Sequence, residues 1–268
     1  MSLKRTIFLT FMGLLSIGCV GSDIPQEQLA CGTAEKVEAV ETVEQQPIHG
    51  TGFRIRRVAD RTREASVQVH NPLRGVRGSG TYFEYDGYHI IVTAAHVVAE
   101  GGEIMLISTP TGEEALALLI YYDNRDPNDV AILVLRDELD TRTSMELNLY
   151  SKPSENLIGA QTVYTGDPGH QRNMTIYGIV SGIHGNRSVI LQSYAWGGAS
   201  GSVVFDNRGR VIGILKAIDV NRSGVSPYPQ INENIVWLSP PESIDLVLLS
   251  DTLMEYGAAM EAIMGGAE

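Results

Sequence analysis

What most constrains this chain is a rhythm of short β-rich runs set between turn residues, beginning at Ser66 and continuing through most of the sequence. The first series is Ser66 to His70, Thr81 to Tyr85, Ile90 to Thr93, Ile104 to Ile107, Leu116 to Tyr122 and Val130 to Leu135. The second, after Ser151 to Asn156, is Thr162 to Thr165, Tyr177 to Val180, Ser188 to Gln192, Ser202 to Phe205 and Val211 to Leu215. Asp86-Gly87, Gly185-Asn186 and Asn207-Arg208-Gly209 punctuate the runs, because Gly and Asn accept the positive φ that tight hairpins need. About six strands twice over predict an all-β chain, a double six-stranded β-barrel rather than a βαβ sheet. Residues 49–150 would hold a lead-in segment and the first barrel, and residues 151–240 the second. Helical spacing recurs only at the end, where Ile244, Val247, Leu248 and Met254 predict a helix from about Pro241 to Ile263 within a 241–268 tail. The stretch from Pro227 to Pro241 reads as a Pro-rich loop.

The barrels have to stand on their cores. Both cysteines, Cys19 and Cys31, precede them, so no disulfide or cysteine-based zinc site can form further along. Residues 1–18 read as an export signal: Lys4 and Arg5 lead an apolar run from Ile7 to Ile17 that is too short to span a bilayer comfortably. Leu15-Ser16-Ile17-Gly18-Cys19 resembles a bacterial lipobox, which implies lipidation at Cys19 and membrane contact through that anchor. An ordinary signal cut near Gly18 is the alternative. The expectation is an exported protein anchored in the cell envelope, or otherwise a soluble secreted or periplasmic one. Residues 19–48, with six acidic residues against Lys36, read as an acidic disordered tether.

The formal charge of −12 disfavours nucleic acid as a partner, since an acidic surface repels phosphate. One stretch runs the other way. Arg54, Arg56, Arg57, Arg61, Arg63, Arg74 and Arg77 face only Asp60 and Glu64. This reads as the solvated side of a lead-in segment whose apolar side is Ile55, Val58 and Ala65.

Three short motifs carry chemistry. Thr93-Ala94-Ala95-His96 follows an apolar strand, Asn128-Asp129-Val130-Ala131-Ile132-Leu133 opens another, and Gly198-Ala199-Ser200-Gly201-Ser202 lies between two more. A serine hydroxyl is a poor nucleophile near neutral pH, so a histidine must take its proton and later return it to the leaving group. His96 fits that role beside Ser200. The imidazole needs its other nitrogen held by a carboxylate, which fixes the tautomer, and Asp129 fits there. Gly198 permits a turn that aims its own amide and that of Ser200 at a developing oxyanion.

With these blocks in the order His, Asp, Ser, the chain resembles the chymotrypsin-like serine peptidases, in particular the bacterial trypsin-like branch that includes the HtrA (Deg) proteases and glutamyl endopeptidases. The resemblance runs from about Ser66 to Ile218. It includes Gly78-Ser79-Gly80-Thr81, Tyr177-Gly178-Ile179-Val180-Ser181-Gly182 and Val211-Ile212-Gly213-Ile214. It implies a serine endopeptidase acting on proteins or peptides without metal or organic cofactor, with His96, Asp129 and Ser200 as its triad and Gly198 and Ser200 as its oxyanion donors. It also implies that the pocket for the residue before the cleaved bond is lined by Tyr194 and by Leu215, Lys216 and Ala217. No Asp stands at its base, so a preference for Arg or Lys has no support. Lys216 could favour an acidic residue, and a shallow apolar pocket beside Tyr194 and Trp196 is the reading preferred.

Ala199 replaces the acidic or amide residue usual before the nucleophile, and no Ile-Val-Gly-Gly start exists, so activation by a freshly cut N-terminus is not expected. The roughly 50 residues after Ile218 are too few for a PDZ module. His49, His70, His89, His170 and His184 show no metal spacing. Two other functions stay open: a decayed peptidase fold that binds envelope proteins without cutting them, and an adaptor for anionic surfaces built on the arginine stretch.

Overall fold

The computed structural model describes residues 51–221 and 230–265. The export signal, Cys19, Cys31 and the 19–48 tether lie outside the described residues. The chain enters through helix α1 (Thr51–Ala65), in which Ile55, Val58, Ala59, Thr62 and Ala65 recur at helical spacing and are buried, while the arginines face solvent. Arg54, Arg56, Arg57, Arg61 and Arg63 therefore form the solvated side expected of them, but on a helix that the sequence did not announce. α1 lies against the second barrel, where Thr62 and Thr165 share a 2.7 Å hydroxyl hydrogen bond.

Strands β1 (Ser66–Asn71), β2 (Val76–Tyr85), β3 (Tyr88–Thr93), β4 (Ile104–Ser108), β5 (Glu114–Asp123) and β6 (Val130–Leu135) follow, with helix α2 (Ala95–Val98) after β3. They run in the order β1-β4-β5-β6-β3-β2, and β1 pairs back onto β2, which closes the barrel. A two-residue strand, β7 (Met145–Glu146), adds in parallel to β2. The apolar run that forms β6 is buried at every position, as befits a strand with neighbours on both edges and a core on each face. Tyr82, Phe83, Ile90, Ile91, Met105, Ile107, Ile132 and Leu133 fill this core with no measurable exposure. Each contributes about 1.5–3 kcal/mol by leaving water.

The second barrel comprises β8 (Gln161–Gly166), β9 (Met174–Ile183), β10 (Val189–Gln192), β11 (Val203–Asp206), β12 (Val211–Asn221) and β13 (Gln230–Ser239), closed in the order β10-β13-β12-β11-β8-β9. Its core includes Tyr164, Leu191, Val204, Ile212, Val236 and Leu238. β13 corrects the sequence reading. Most of the stretch taken as a Pro-rich loop is a strand, paired through Ile235 to Leu238 with β10 and through Val236 to Ser239 with β12, and without it the barrel would be open.

The terminal helix, α3 (Leu246–Gly265), begins five residues later than expected, because Pro241–Ser243 form one separate 3-10 turn. Leu249 and Leu253 bury its inner side in the first core, and Tyr121 donates a 2.9 Å hydrogen bond to the Ser243 carbonyl. The tail thus returns to the first barrel.

Candidate active site

The two barrels meet along a seam, and the three motif residues all lie on it. α2 carries His96. Its neighbours Ala95, Val97 and Val98 are buried, so the short helix is held from behind while the imidazole, 45% exposed, opens outward. Asp129 sits just before β6 and is shielded, with a side chain 15% exposed. Its Oδ2 lies 2.6 Å from His96 Nδ1, and its Oδ1 accepts the His96 main-chain N–H at 2.9 Å. Two contacts to one carboxylate fix both the position of the residue and the plane of the ring. Asp129 is itself supported from the second barrel, where Ser239 Oγ on β13 donates to its carbonyl at 3.3 Å. Upstream, the loop from β5 is tied by Asp123, which accepts from Arg125 and from Asn128. The hydrogen-bonded Arg125 guanidinium holds the Asp123 carboxyl well below the usual carboxylate range.

Ser200 is in the turn between β10 and β11, and two glycines let that turn fit the seam. Gly201 has φ +90°, and a Cβ there would lie 2.2 Å from the Ser79 carbonyl oxygen and 2.3 Å from Thr93 Oγ1. Gly198 has φ +100°, and its Cβ would lie 2.4 Å from the Asp167 carbonyl oxygen. Both positions combine a backbone conformation that side chains disfavour with contact distances that exclude one. The Ser200 turn is therefore pressed against the first barrel beside the segment that carries His96.

The backbone around Gly198 has a definite orientation. The Gly197 carbonyl accepts the Gly169 N–H at 2.8 Å, and the Gly198 carbonyl accepts Ser79 Oγ at 2.8 Å. In a trans peptide the N–H points opposite to its carbonyl, so anchoring Gly197 C=O inward turns Gly198 N–H outward into the cleft. Among the described residues neither Gly198 N–H nor Ser200 N–H has a hydrogen-bond acceptor. Two amides without an internal acceptor in a partly buried turn can hold a developing negative charge.

Ser79 is the residue whose part the sequence did not reveal. Fully buried, it donates its hydroxyl to Gly198, accepts the Asp167 N–H at 2.9 Å, and donates its own N–H to the Ser200 carbonyl at 2.7 Å. It grips the turn on both sides of Ala199. Asp167, 3% exposed, is held by Gln68 Nε2 (3.1 Å), Arg172 Nε (3.1 Å) and the Asn173 N–H (2.8 Å). Ser79 lay inside a motif block, so a glycine-flanked serine leading a hairpin was visible; nothing local marked its partner 88 residues away.

The expected specificity residues separate. Tyr194 and Trp196 are 41% and 40% exposed, and Tyr194 offers its carbonyl to the Tyr164 hydroxyl, a phenol whose burial raises its pKa. Leu215 flanks the Ser200 turn through its backbone, accepting the Gly201 N–H at 2.8 Å, while its side chain is buried in the second core. Lys216 does not supply a free charge. Its ammonium, 15% exposed, donates to the Pro127 carbonyl and to Ser188 Oγ, both at 2.9 Å, with Asp126 3.6 Å away. It binds β12 to the loop that carries Asp129, and an acid-selecting role for it lacks an available cation. Among the described residues no three His, Cys, Asp or Glu side chains converge as metal ligands would.

Residues 78–214 match the profile of the trypsin-like peptidase domain. No curated protein matches the chain. Among solved structures, the serine endoprotease from Yersinia pestis is similar over 75% of this chain at 22% identity and a TM-score of 0.53, and this chain spans 65% of that protein's length. Rv3671c from M. tuberculosis H37Rv, as an inactive serine-to-alanine mutant, is similar over 75% of this chain and 90% of its own, with 18% identity and a TM-score of 0.53. A second inactive form of the Rv3671c protease covers 73% and 92%, with 18% identity and a TM-score of 0.54. At such identities the likeness concerns the fold.

Proposed function

Since this chain belongs to the trypsin-like peptidase family, we propose that it is a serine endopeptidase that hydrolyses protein substrates through an acyl-enzyme. Ser200 Oγ attacks the scissile carbonyl as His96 takes its proton, and Asp129, bonded at Nδ1, keeps the other ring nitrogen free to do so. The free amides of Gly198 and Ser200 receive the oxyanion. His96 then returns the proton to the departing amine, and water, deprotonated by the same imidazole, releases the acid.

The observation that carries this reading is the doubly bonded His96 and Asp129 pair on one seam with an outward-facing serine turn whose two amides have no acceptor. Covalent labelling by a fluorophosphonate probe tests it. Wild-type protein should react and Ser200→Ala should not; a folded wild type that stays unlabelled would sink the proposal. One feature favours the binding-module alternative: among the described residues the Ser200 hydroxyl makes no hydrogen bond, to His96 or to anything else. Such contacts are often loose before substrate arrives. Casein cleavage by wild type but not by His96→Ala separates the two readings.

The Cys19 lipobox extends the proposal to a lipidated protein of the cell envelope. Metabolic labelling with palmitate, absent in Cys19→Ser, checks it.

A further inference from the structure

Beside the Gly198 turn lies a cleft of about 700 Å³. Its wall comes from the β1–β2 ladder. The register pairs Gln68 with Ser79 and His70 with Arg77, and residues two apart on a strand, or directly opposite on its partner, share a face. These four side chains therefore form one grid pointing at the second barrel. The inner pair is engaged, Ser79 with Gly198 and Gln68 with Asp167. The outer pair is not: among the described residues the His70 and Arg77 side chains have no hydrogen-bond or ion-pair partner, and both line the cleft.

The charges around this space leave a cation in excess. Asp167 forms the floor, but its oxygens already accept from Gln68 and Asn173 and pair with the Arg172 guanidinium, and it is 3% exposed. Arg172 is the ion-pair partner of Asp167, and Arg74, in the turn at the rim, is paired with Glu100. Among the described residues Arg77 has no counter-charge, and His70 stands beside it with two unengaged ring nitrogens. Trp196 and Gly197 close the opposite wall.

We propose that this cleft is a carboxylate-binding subsite for the leaving side of the substrate, taking an Asp or Glu side chain within the first two residues after the cleaved bond. Arg77 supplies the charge and His70 a second donor. The assignment of sides rests on the endopeptidase reading: the acyl half runs toward Tyr194 and Leu215, so the leaving half runs past Gly198 toward β2. A guanidinium offers a carboxylate two parallel N–H donors, which a neutral amide cannot match.

Two experiments on the full chain test this, the first without catalysis and the second through it. In the first, the tetrapeptide amides Glu-Glu-Ala-Tyr and Gln-Gln-Ala-Tyr are titrated against the Ser200→Ala protein by ligand-observed NMR. The acidic peptide should bind on the order of tenfold more tightly, the scale of a charge-assisted hydrogen bond. The difference should vanish in Ser200→Ala combined with Arg77→Gln. Equal binding of the two peptides, binding of neither, or a difference that survives Arg77→Gln overturns the subsite. In the second, wild-type protein digests a proteome-derived peptide library and the residues after each cut are read. Cuts without enrichment of Asp and Glu over Asn and Gln also overturn the subsite. Absence of any cut, with the binding difference intact, overturns the peptidase reading and leaves the subsite standing.

Discussion

Replacing Ser79 with alanine tests whether the oxyanion turn is held by its buried clamp or only by its own backbone. The substitution keeps the main-chain bonds, from Ser79 N–H to Ser200 and from Thr93 Oγ1 to the Ser79 carbonyl, and removes only the hydroxyl. Two groups lose their partner. The Asp167 N–H is buried with no other acceptor and should cost about 1–3 kcal/mol, while the Gly198 carbonyl, at a half-exposed residue, can recruit water and should cost about 1 kcal/mol. A total of roughly 2–4 kcal/mol corresponds to a fall in Tm of roughly 5–15 °C for a folded body of this size. The functional effect follows from freeing the Gly198 carbonyl, which lets the neighbouring peptides rotate. Deleting a whole oxyanion donor costs about 10²–10³ in kcat, so a donor that is present but less well aimed should cost about 10–10². The assay is kcat and KM on a chromogenic ester, together with the second-order rate of fluorophosphonate labelling. kcat and the labelling rate should fall together while KM and the pH profile, which report binding and His96, hold their wild-type values. Wild-type kcat and wild-type Tm in Ser79→Ala would refute the clamp.

A second buried serine makes the opposite case. Ser202 Oγ is fully buried with no hydrogen-bond partner among the described residues, so Ser202→Ala should be neutral or stabilising by up to about 1 kcal/mol, read as an unchanged or higher Tm. Lys216→Met should remove both bonds that tie β12 to the Asp129 loop; we expect about 1.5–3 kcal/mol of lost stability by denaturant titration and a lower kcat without any new charge preference. Asp123 sets a pH dependence. Its folded-state carboxyl is held below the unfolded value of about 4, so its contribution is complete above that pH and disappears as pH falls further. Melting curves from pH 6 to pH 3 should show a steepening loss of Tm in the wild type below about pH 4, and a shallower one in Asp123→Asn.

Legibility in the sequence followed the range of the interactions. Strands with apolar runs and Gly-Asn turns announced themselves, because period and turn chemistry act within a few residues. β13 did not: four prolines from Pro227 to Pro241 suggested a loop, yet its pairing partners on β10 and β12 settle the conformation, and tertiary pairing outweighs local preference. α1 was obscured for a related reason. Its arginines dominate the composition of the segment, while the helical stripe of Ile55, Val58, Ala59 and Thr62 includes a threonine whose burial depends on Thr165, about a hundred residues later.

The same distinction divides the site. The proposed catalytic residues His96, Asp129 and Ser200 each sit in a short motif with a fixed relation to the adjoining strand, so a linear reading singles them out as candidates. What aims them is assembled across the seam. Gly198 must be glycine because of the Asp167 carbonyl, Gly201 because of Ser79 and Thr93, and Asp129 is held by Ser239 from the strand that looked like a loop. Lys216 shows what a local reading lacks: its place after Gly213 left an acid-selecting role open as the lesser alternative, and the structure gives its ammonium to Pro127 and Ser188. Arg77 is the converse, one arginine among seven in a stretch taken as a solvated face. Only the β1–β2 register separates it from Arg54 to Arg63 on α1 and turns it, with His70, toward the cleft. Charge that appears redundant in the sequence thus divides by topology into a helix surface and a wall of the candidate active site. Substitutions in the two groups should therefore act differently, those on α1 leaving peptide discrimination intact and Arg77→Gln removing it.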